Sequence, residues 1–487
     1  MKVLRDILYK VNIEAVSGGT DIRINDIHFD SRKASLDDVF VAVPGTITDG
    51  HDYISKAVDQ GVIAVVCERM PETMINGVTY VQVPDSKKAL ALMASNFYGN
   101  PSRNLRLVGV TGTNGKTTVT SLLYQLFKKA GYKVGLLSTV RVMVGDKEFP
   151  ATHTTPDPMS INKYLDMMSA EGVEFCFMEV SSHGIDQERT TGLLFAGGIF
   201  TNLSHDHLDY HNSFAEYRDV KKRFFDELPS SAFAITNADD KNGSVMLQNT
   251  KASKYTYAIK SYADFRGQVM ENQLSGLLLK IDEQEVWSRL IGNFNAYNLL
   301  AVYAAATLLG HDKLEVLRLL SELESVGGRF QHFVSEGKIT AIVDYAHTPD
   351  ALENVLSTIN TVRTGNENLF TVVGCGGDRD KTKRPKMAGI AARLSTTAIF
   401  TSDNPRSEDP EAIIEDMEKG VEPQDYKKTL SVTDRKQAIK TACTMAVPGD
   451  IILIAGKGHE TYQEVKGVRT DFDDMEVVQT LLKQLNK

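Results

Sequence analysis

The stretch Leu105-Arg-Leu-Val-Gly-Val-Thr-Gly-Thr-Asn-Gly-Lys-Thr-Thr118 decides the fold. Leu105–Val110 reads as an apolar strand, followed by a glycine-rich turn. Residues Thr117–Ala130 then carry a helical pattern closed by Gly131, and Lys133–Leu137 reads as another strand. Strand, turn, helix, strand is a βαβ unit, the building block of a parallel sheet. The glycines let the backbone curl until several N–H groups point at one anion, and the helix N-terminus adds partial positive charge. Gly112, Thr113, Asn114, Gly115, Lys116, Thr117 and Thr118 are therefore candidate phosphate contacts. Lys116 suits the β- and γ-phosphates, and the Thr117 hydroxyl suits Mg²⁺. The common phosphate-loop pattern has glycine where this chain has Val110. A nucleotide loop alone leaves kinase, GTPase and transporter ATPase open.

Working outward, Phe175–Val180, Gly198–Thr201 and Ala232–Thr236 are apolar runs that fit the same sheet, and the helix Phe294–Leu309 is expected to close the region. Upstream, the runs Val39–Val43, Val62–Glu68 and Val78–Val83 mix with the helical pattern Lys87–Tyr98. Asn100-Pro101-Ser102 reads as a linker, since proline disfavours helix at the preceding residue. Downstream of Gly327-Gly328, which reads as a hinge, Ile339–Asp344, Leu369–Gly374, Ala398–Thr401 and Asp450–Ala455 alternate with helical segments. The expected fold is α/β in three domains. Residues 1–100 form an N-terminal α/β module, 101–328 a central domain that carries the phosphate loop on a mostly parallel sheet, and 329–487 a Rossmann-like C-terminal domain. The length of 487 residues agrees, at roughly 150 residues per domain.

Composition excludes some classes. A net charge of −9 argues against general nucleic-acid affinity, which needs clustered positive charge. Cys67, Cys176, Cys375 and Cys443 form no Cys-x-x-Cys pair, as expected of buried thiols in a reducing compartment. The first residues lack the apolar core of a signal peptide, and no stretch reaches the roughly 18 apolar residues of a membrane span. A cytoplasmic location is therefore expected; a monomer is expected as well, though composition does not decide the oligomeric state.

Several residues carry chemistry in their own right. Glu179 ends an apolar strand, where a carboxylate at the carboxyl end of a parallel sheet can hold a cation; a capping or ion-paired glutamate is the plain alternative. His207 lies in His205-Asp-His-Leu-Asp-Tyr-His211, which superficially resembles a zinc cluster but fits none of the common zinc spacings. Lys221 and Lys222 lie on the helical stretch Phe214–Phe225 and read, by themselves, as solvated lysines. Asp403-Asn404-Pro405-Arg406 follows the strand Ala398–Thr401, so it lies where open α/β sheets place ligands.

These blocks occur together. Thr111–Thr118, Met178-Glu-Val-Ser-Ser-His-Gly184, Thr201–His211, Gly292–Asn298, Val343-Asp-Tyr-Ala-His-Thr-Pro349, Gly374-Cys-Gly-Gly-Asp-Arg379, Asp403–Arg406 and Gly456-Lys-Gly-His-Glu460 run in order along nearly the whole chain. The set resembles the Mur ligases, relatives of the folylpolyglutamate synthetases. The resemblance implies an ATP-driven amide ligase that uses Mg²⁺, in bacterial cell-wall synthesis. It implies that His207 helps hold Mg²⁺ with Thr117 and Glu179. It also implies that Lys221 is carbamylated by CO₂, becoming an anionic oxygen ligand, while Lys222 points about 100° away around the helix. Lys116, Lys221 and His207 are then the catalytic candidates.

The same resemblance places Thr154, Thr155, Ser181, Gln187 and Arg189 against a UDP-linked muramyl dipeptide. The family often has Asn where this chain has His153. Phe29, Ser31, Thr46, Ile47 and Thr48 match positions that receive the uridine diphosphate end. Asn298 is expected near adenine, with Arg329 and Asp344 contacting the nucleotide at the domain junction; capping or ion pairing across that junction is the alternative for all three.

For the amino-acid substrate, the implied choice is meso-diaminopimelate rather than lysine. Diaminopimelate carries a carboxylate at its far end, and Arg406 offers the fork geometry a carboxylate wants, with Arg379 as a possible second. Asp403 and Glu460 could receive ammonium groups, with Asn404, Pro405 and the Gly456 backbone completing the contact set. An unmatched buried arginine would discriminate against lysine. The expected chemistry runs through an acyl phosphate, sheltered by closure of the last domain with His347 and Lys383 as closing contacts. The alternatives are a lysine-adding ligase, a folylpolyglutamate synthetase, or a nucleotide-binding protein that has lost its chemistry.

Overall fold

The computed structural model describes residues 1–45, 48–204 and 210–487. Thr46, Ile47 and His207 lie outside the described residues. In the middle of the chain Arg106–Thr111 pairs in parallel with Phe175–Glu179 on one side and Phe195–Phe200 on the other. Val134–Leu137 continues the sheet beyond the first neighbour, and Phe233–Asn237 and Ser253–Ala258 continue it beyond the second, all in parallel. Apolar side chains fill both faces, which is why these strands read as near-continuous apolar runs rather than alternating ones.

The sheet is longer than its parallel part. At one end Arg141–Val144 and Lys147–Pro150 run antiparallel. At the other, Phe265–Gln273, Gly276–Ile281 and Gln284–Ser288 form an antiparallel meander. The expected closing helix is present as Asn293–Leu308, but it does not close the region. Asp312 caps a further helix, Lys313–Ser321, whose Val316, Leu317, Leu319 and Leu320 join the same core. Its apolar face is only two turns long, too short to stand out beside the strongly apolar helix before it.

The N-terminal sheet has the order Ala15–Ser17, Thr79–Gln82, Ala64–Cys67, Val39–Val41, Ile27–His28, parallel except for its first strand. Phe29 thus follows the carboxyl end of Ile27–His28, and residues 42–45 follow that of the neighbouring parallel strand Val39–Val41. Asn100 adopts a left-handed conformation (φ 59°) before one short turn at Pro101–Arg103, the expected break.

The last sheet has the order Gln331–Val334, Thr340–Asp344, Ile451–Ala455, Leu369–Cys375, Thr397–Ser402, Thr429–Ser431, antiparallel only at its first pair. The loops after four adjacent parallel strands therefore share one edge. A hairpin, Tyr462–Val465 with Val468–Asp471, projects beside them. At the joint Gly328 (φ 66°) packs so closely on Gly458 and His459 that a Cβ there would fall 2.1 Å from the His459 amide nitrogen. Only glycine fits.

Arg435 and Asp474 form a fully buried, two-pronged ion pair of 2.8 and 2.7 Å. Removing one partner strands a charge in the core, at a cost of about 3–5 kcal/mol. Asp474→Ala should therefore lower the first calorimetric unfolding transition sharply, whereas Arg435→Met combined with Asp474→Leu should recover most of the loss. Additive losses in the double variant would show that the pair is not the source.

Candidate functional site

The phosphate loop lies on the segment that follows Phe195–Phe200. The Thr113 amide donates to Asn202 O (2.8 Å) and the Asn114 amide to Asn202 Oδ1 (3.0 Å), while Thr201 Oγ1 donates to Asn114 O (2.6 Å). Lys116 opens the helix Lys116–Lys129 and its Nζ donates to Gly112 O (2.9 Å) and Thr113 O (2.8 Å). The loop is thus curled before any anion arrives, with a cation at its centre.

Lys221 reaches the same loop. Its Nζ donates to Gly112 O at 2.9 Å and lies 4.7 Å from the Tyr217 ring centre, with the residue only 1 % exposed. The reading of Lys221 as a solvated lysine is therefore corrected. Tyr217, Lys221, Phe224 and Phe225 share the inward face of the helix Phe214–Asp226, and the apolar neighbours carry the lysine inside. Lys222, also buried, turns instead to the Asp226 carboxylate at 2.6 and 2.8 Å.

Glu179 ends its strand fully buried. Its Oε2 accepts from Thr117 Oγ1 (3.0 Å) and Thr139 Oγ1 (3.2 Å), and its Oε1 accepts from the Thr139 amide (2.7 Å). A carboxylate and a hydroxyl side by side at a phosphate loop form an oxygen donor set that fits Mg²⁺, which needs few protein ligands beside phosphate and water.

A cleft of about 720 Å³ opens from this loop toward the last sheet, reaching Asn298, Arg329, Asp344 and His347. Asn298 Nδ2 donates to Asn295 Oδ1 (3.0 Å), which directs Asn298 Oδ1 toward Gly115. Arg329 stacks over Tyr345 (4.5 Å) and donates from Nη2 to Thr117 Oγ1 (3.2 Å); its buried Nε has no hydrogen-bond partner among the described residues. That spare donor at the cleft wall suits an anionic ligand. Asp344 accepts from the amides of Phe330 (2.6 Å) and Ala346 (2.8 Å). Desolvation in the joint pushes its carboxyl up to about 6, with Arg329 and the two amides opposing. Lys383 Nζ donates to His347 O (3.0 Å), so these two expected closing contacts touch each other within the last domain.

Beside Glu179, Thr155 Oγ1 donates to Glu179 O (2.8 Å) and lies 3.0 Å from Ser181 Oγ, and Thr154 Oγ1 lies 3.1 Å from Thr139 Oγ1. Arg189 donates through Nη1 to Thr155 O (2.5 Å) and through Nε and Nη2 to Gln187 Oε1 (3.1 and 2.6 Å). Thr154, Thr155, Ser181, Gln187 and Arg189 are therefore one cluster, whereas His153 is exposed beside it. In the N-terminal sheet Phe29 is exposed and Ser31 buried, and Thr48 O accepts from the Gly45 amide (3.0 Å).

The loops of the last sheet form a second cluster. Arg406 is left-handed (φ 53°) and pinned on both backbone sides by the hairpin: its amide donates to Glu464 O (3.1 Å), and the Lys466 amide donates to Arg406 O (2.6 Å). Its Nη1 donates to Gly377 O (2.7 Å). Gln463 Nε2 donates to Asp403 O (2.7 Å). Arg379 is exposed nearby, and Gly456 packs against the Asp403 carboxylate. Asn404 Nδ2 donates to Glu460 Oε2 (2.7 Å), and fully buried Lys457 lies beneath both. Gln463, Glu464 and Lys457 were missed by sequence reasoning. The hairpin's short strands, half-buried in Tyr462–Val465 and exposed in Val468–Asp471, carry no apolar signal, though the position of Lys457 inside Gly456–Glu460 was a cue.

Comparison with known proteins places this geometry. Family models match in chain order: "Mur ligase family, catalytic domain" over residues 23–98, "Mur ligase middle domain" over 110–306, and "Mur ligase, glutamate ligase domain" over 328–458. A protein of Cytophaga hutchinsonii, named UDP-N-acetylmuramoyl-L-alanyl-D-glutamate–2,6-diaminopimelate ligase, is 56% identical over 485 residues, covering 99% of this chain and 100% of its own. A protein of the same name from Bacteroides fragilis is 53% identical over 478 residues, covering 98% and 99%. A solved structure of a ligase of that name superposes with a TM-score of 0.71 at 31% identity, covering 100% and 99%. With similarity running end to end through all three sheets, the chain belongs to the Mur ligase family.

Proposed function

We propose that the protein is an ATP-dependent ligase that joins meso-2,6-diaminopimelate to the D-glutamate of UDP-N-acetylmuramoyl-L-alanyl-D-glutamate, in peptidoglycan synthesis in the cytoplasm. The observation that carries this reading is the convergence of Lys116, Lys221 and the Thr117–Glu179 oxygen pair on one phosphate loop, beside a cleft lined by Lys116, Thr117, Glu179, Thr154 and Arg329. The names of relatives 52–56% identical over nearly the full chain supply the substrates.

In this reading the dipeptide's free γ-carboxylate attacks the γ-phosphorus of ATP, the β–γ bridging bond breaks, and ADP leaves an acyl phosphate. Lys116 neutralises charge on the transferring group, and the preformed loop holds it in line. Bound Mg²⁺ would be held by Thr117 and Glu179, with His207 and a carbamylated Lys221 as further partners, and would supply charge neutralisation at the phosphates. Asn298, Arg329 and Asp344 orient the nucleotide. The amine of diaminopimelate then attacks the acyl carbon, loses a proton, and phosphate departs. Arg189 with Thr155 and Ser181 positions the dipeptide, and the N-terminal sheet edge takes the uridine diphosphate. The same reading divides the chain after residues 100 and 328, and treats the protein as a monomer.

Four measurements test it. Phosphate release with UDP-muramyl dipeptide should require diaminopimelate, with lysine supporting less than about a hundredth of that rate because it leaves Arg406 unmatched. Arg406→Ala should lower kcat/KM for diaminopimelate roughly 100-fold and reduce the preference over lysine; equal turnover of both amino acids by the native protein would sink the substrate assignment. Lys221→Arg keeps a cation but cannot carry a carbamate, so turnover should fall by at least about 100-fold while ADP still binds. Finally, protonation of Asp344 as pH falls through about 6 removes its negative charge. Therefore kcat/KM for ATP should drop below that pH, and Asp344→Asn should abolish that limb of the profile.

A further inference from the structure

The second cluster contains a buried cation that the proposed chemistry leaves unused. Lys457 is 0 % exposed, in the loop after Ile451–Ala455. Its Nζ donates to Asn404 Oδ1 at 2.9 Å and lies 3.4 Å from Glu460 Oε2 and 3.9 Å from Asp403 Oδ1. An ammonium can only donate, so it fixes which end of the Asn404 amide faces it. The Glu464 amide donates to the same Oδ1 (2.9 Å), which leaves Nδ2 to donate to Glu460 Oε2. Asn404 Nδ2 and Lys457 Nζ both donate to Glu460 Oε2. Among the described residues Glu460 Oε1 receives no hydrogen bond and is left to accept from a ligand.

We infer that Lys457 is a positioning residue of the amino-acid site, locking Asn404 and holding Glu460 as a carboxylate so that Glu460 receives an ammonium group of the incoming amino acid. The inference rests on the ligase reading and deepens it. One face of the Asp403–Glu460 pair is already filled by the chain's own lysine.

Burial pushes the Glu460 carboxyl up, and Asp403 pushes it further, while Lys457 and the Asn404 amide oppose them. The other charged or titratable groups facing it are Arg435, Arg469, Tyr345 and Tyr462. The sign is fixed. Without Lys457 the carboxyl rises further, so the ionised form that captures an ammonium appears only at higher pH.

The test uses the full chain with ATP and UDP-muramyl dipeptide, measuring KM for diaminopimelate from pH 6 to 9. K457M should raise that KM at least about 20-fold at neutral pH, leave KM for ATP within about twofold, and move the acidic limb up by roughly one pH unit. K457R keeps the charge but not the geometry, so its acidic limb should coincide with that of the native protein while KM rises about fivefold. An unmoved limb in K457M, or an equal rise in KM for ATP, overturns the inference. Should K457M fail to fold, K457R decides: a limb displaced from the native position, or a native KM, overturns it as well. E460Q should abolish the limb, and its persistence would show that another group sets it. A native protein that turns over no diaminopimelate would instead refute the substrate reading.

Discussion

The site depends on the parallel register between Arg106–Thr111 and Phe175–Glu179. That register sets Glu179 opposite Val110, so one strand ends in a buried carboxylate just where its neighbour opens into the phosphate loop. A shift of one residue would flip the side chains to the other face of the sheet and separate the carboxylate from Thr117. The register is enforced by apolar packing on both faces. The other neighbour, Phe195–Phe200, contributes Gly198, where a Cβ would fall 2.8 Å from the Phe224 ring. The missing side chain lets the helix Phe214–Asp226 lie directly on the sheet. Lys221, one turn before Phe224 on the same face, is thereby delivered to Gly112.

Polar groups in the first cluster are consequently arranged before ligand binding. Glu179 has three donors, the loop amides are tied to Asn202, and Arg189 is braced by Gln187 and Thr155. Preorganisation of this kind is what phosphoryl transfer asks of a protein, because the chemistry itself resides in the substrates and the catalyst must chiefly position and neutralise. The second cluster uses the same device with opposite sign. There a buried lysine and a hairpin hold two carboxylates and an arginine in fixed relation. Gly328 joins the two regions through a backbone contact that tolerates no side chain, so the cleft wall at Arg329 and the loop Gly456–Glu460 meet at one joint.

Much of this was legible in the chain. The strands flanking the phosphate loop, the helix after it and the parallel core of the last sheet appear within one to three residues of where the apolar runs place them. Buried parallel strands have no alternation to misread. The antiparallel additions and the helix Lys313–Ser321 were not legible, because short amphipathic segments at a sheet edge have weak periodicity and their pairing is set by what lies beside them. The residues Lys116, Thr117 and Glu179 follow from motif and position. The choice of Lys221 over Lys222 came from resemblance, and the burial of both lysines shows why local pattern could not make it.

By itself the sequence determined the α/β class, the phosphate loop and the order of motifs, because these depend on local backbone chemistry and on apolar runs. Tertiary structure alone decided what those motifs touch. It turned a lysine that reads as solvated into one held inside at the phosphate loop, and tied Arg406 to a hairpin with no sequence signature. It also filled one face of the Asp403–Glu460 pair with Lys457. Each of these depends on contacts between segments far apart in the chain, where burial and the nearest opposite charge, rather than residue type, set what a charged group does.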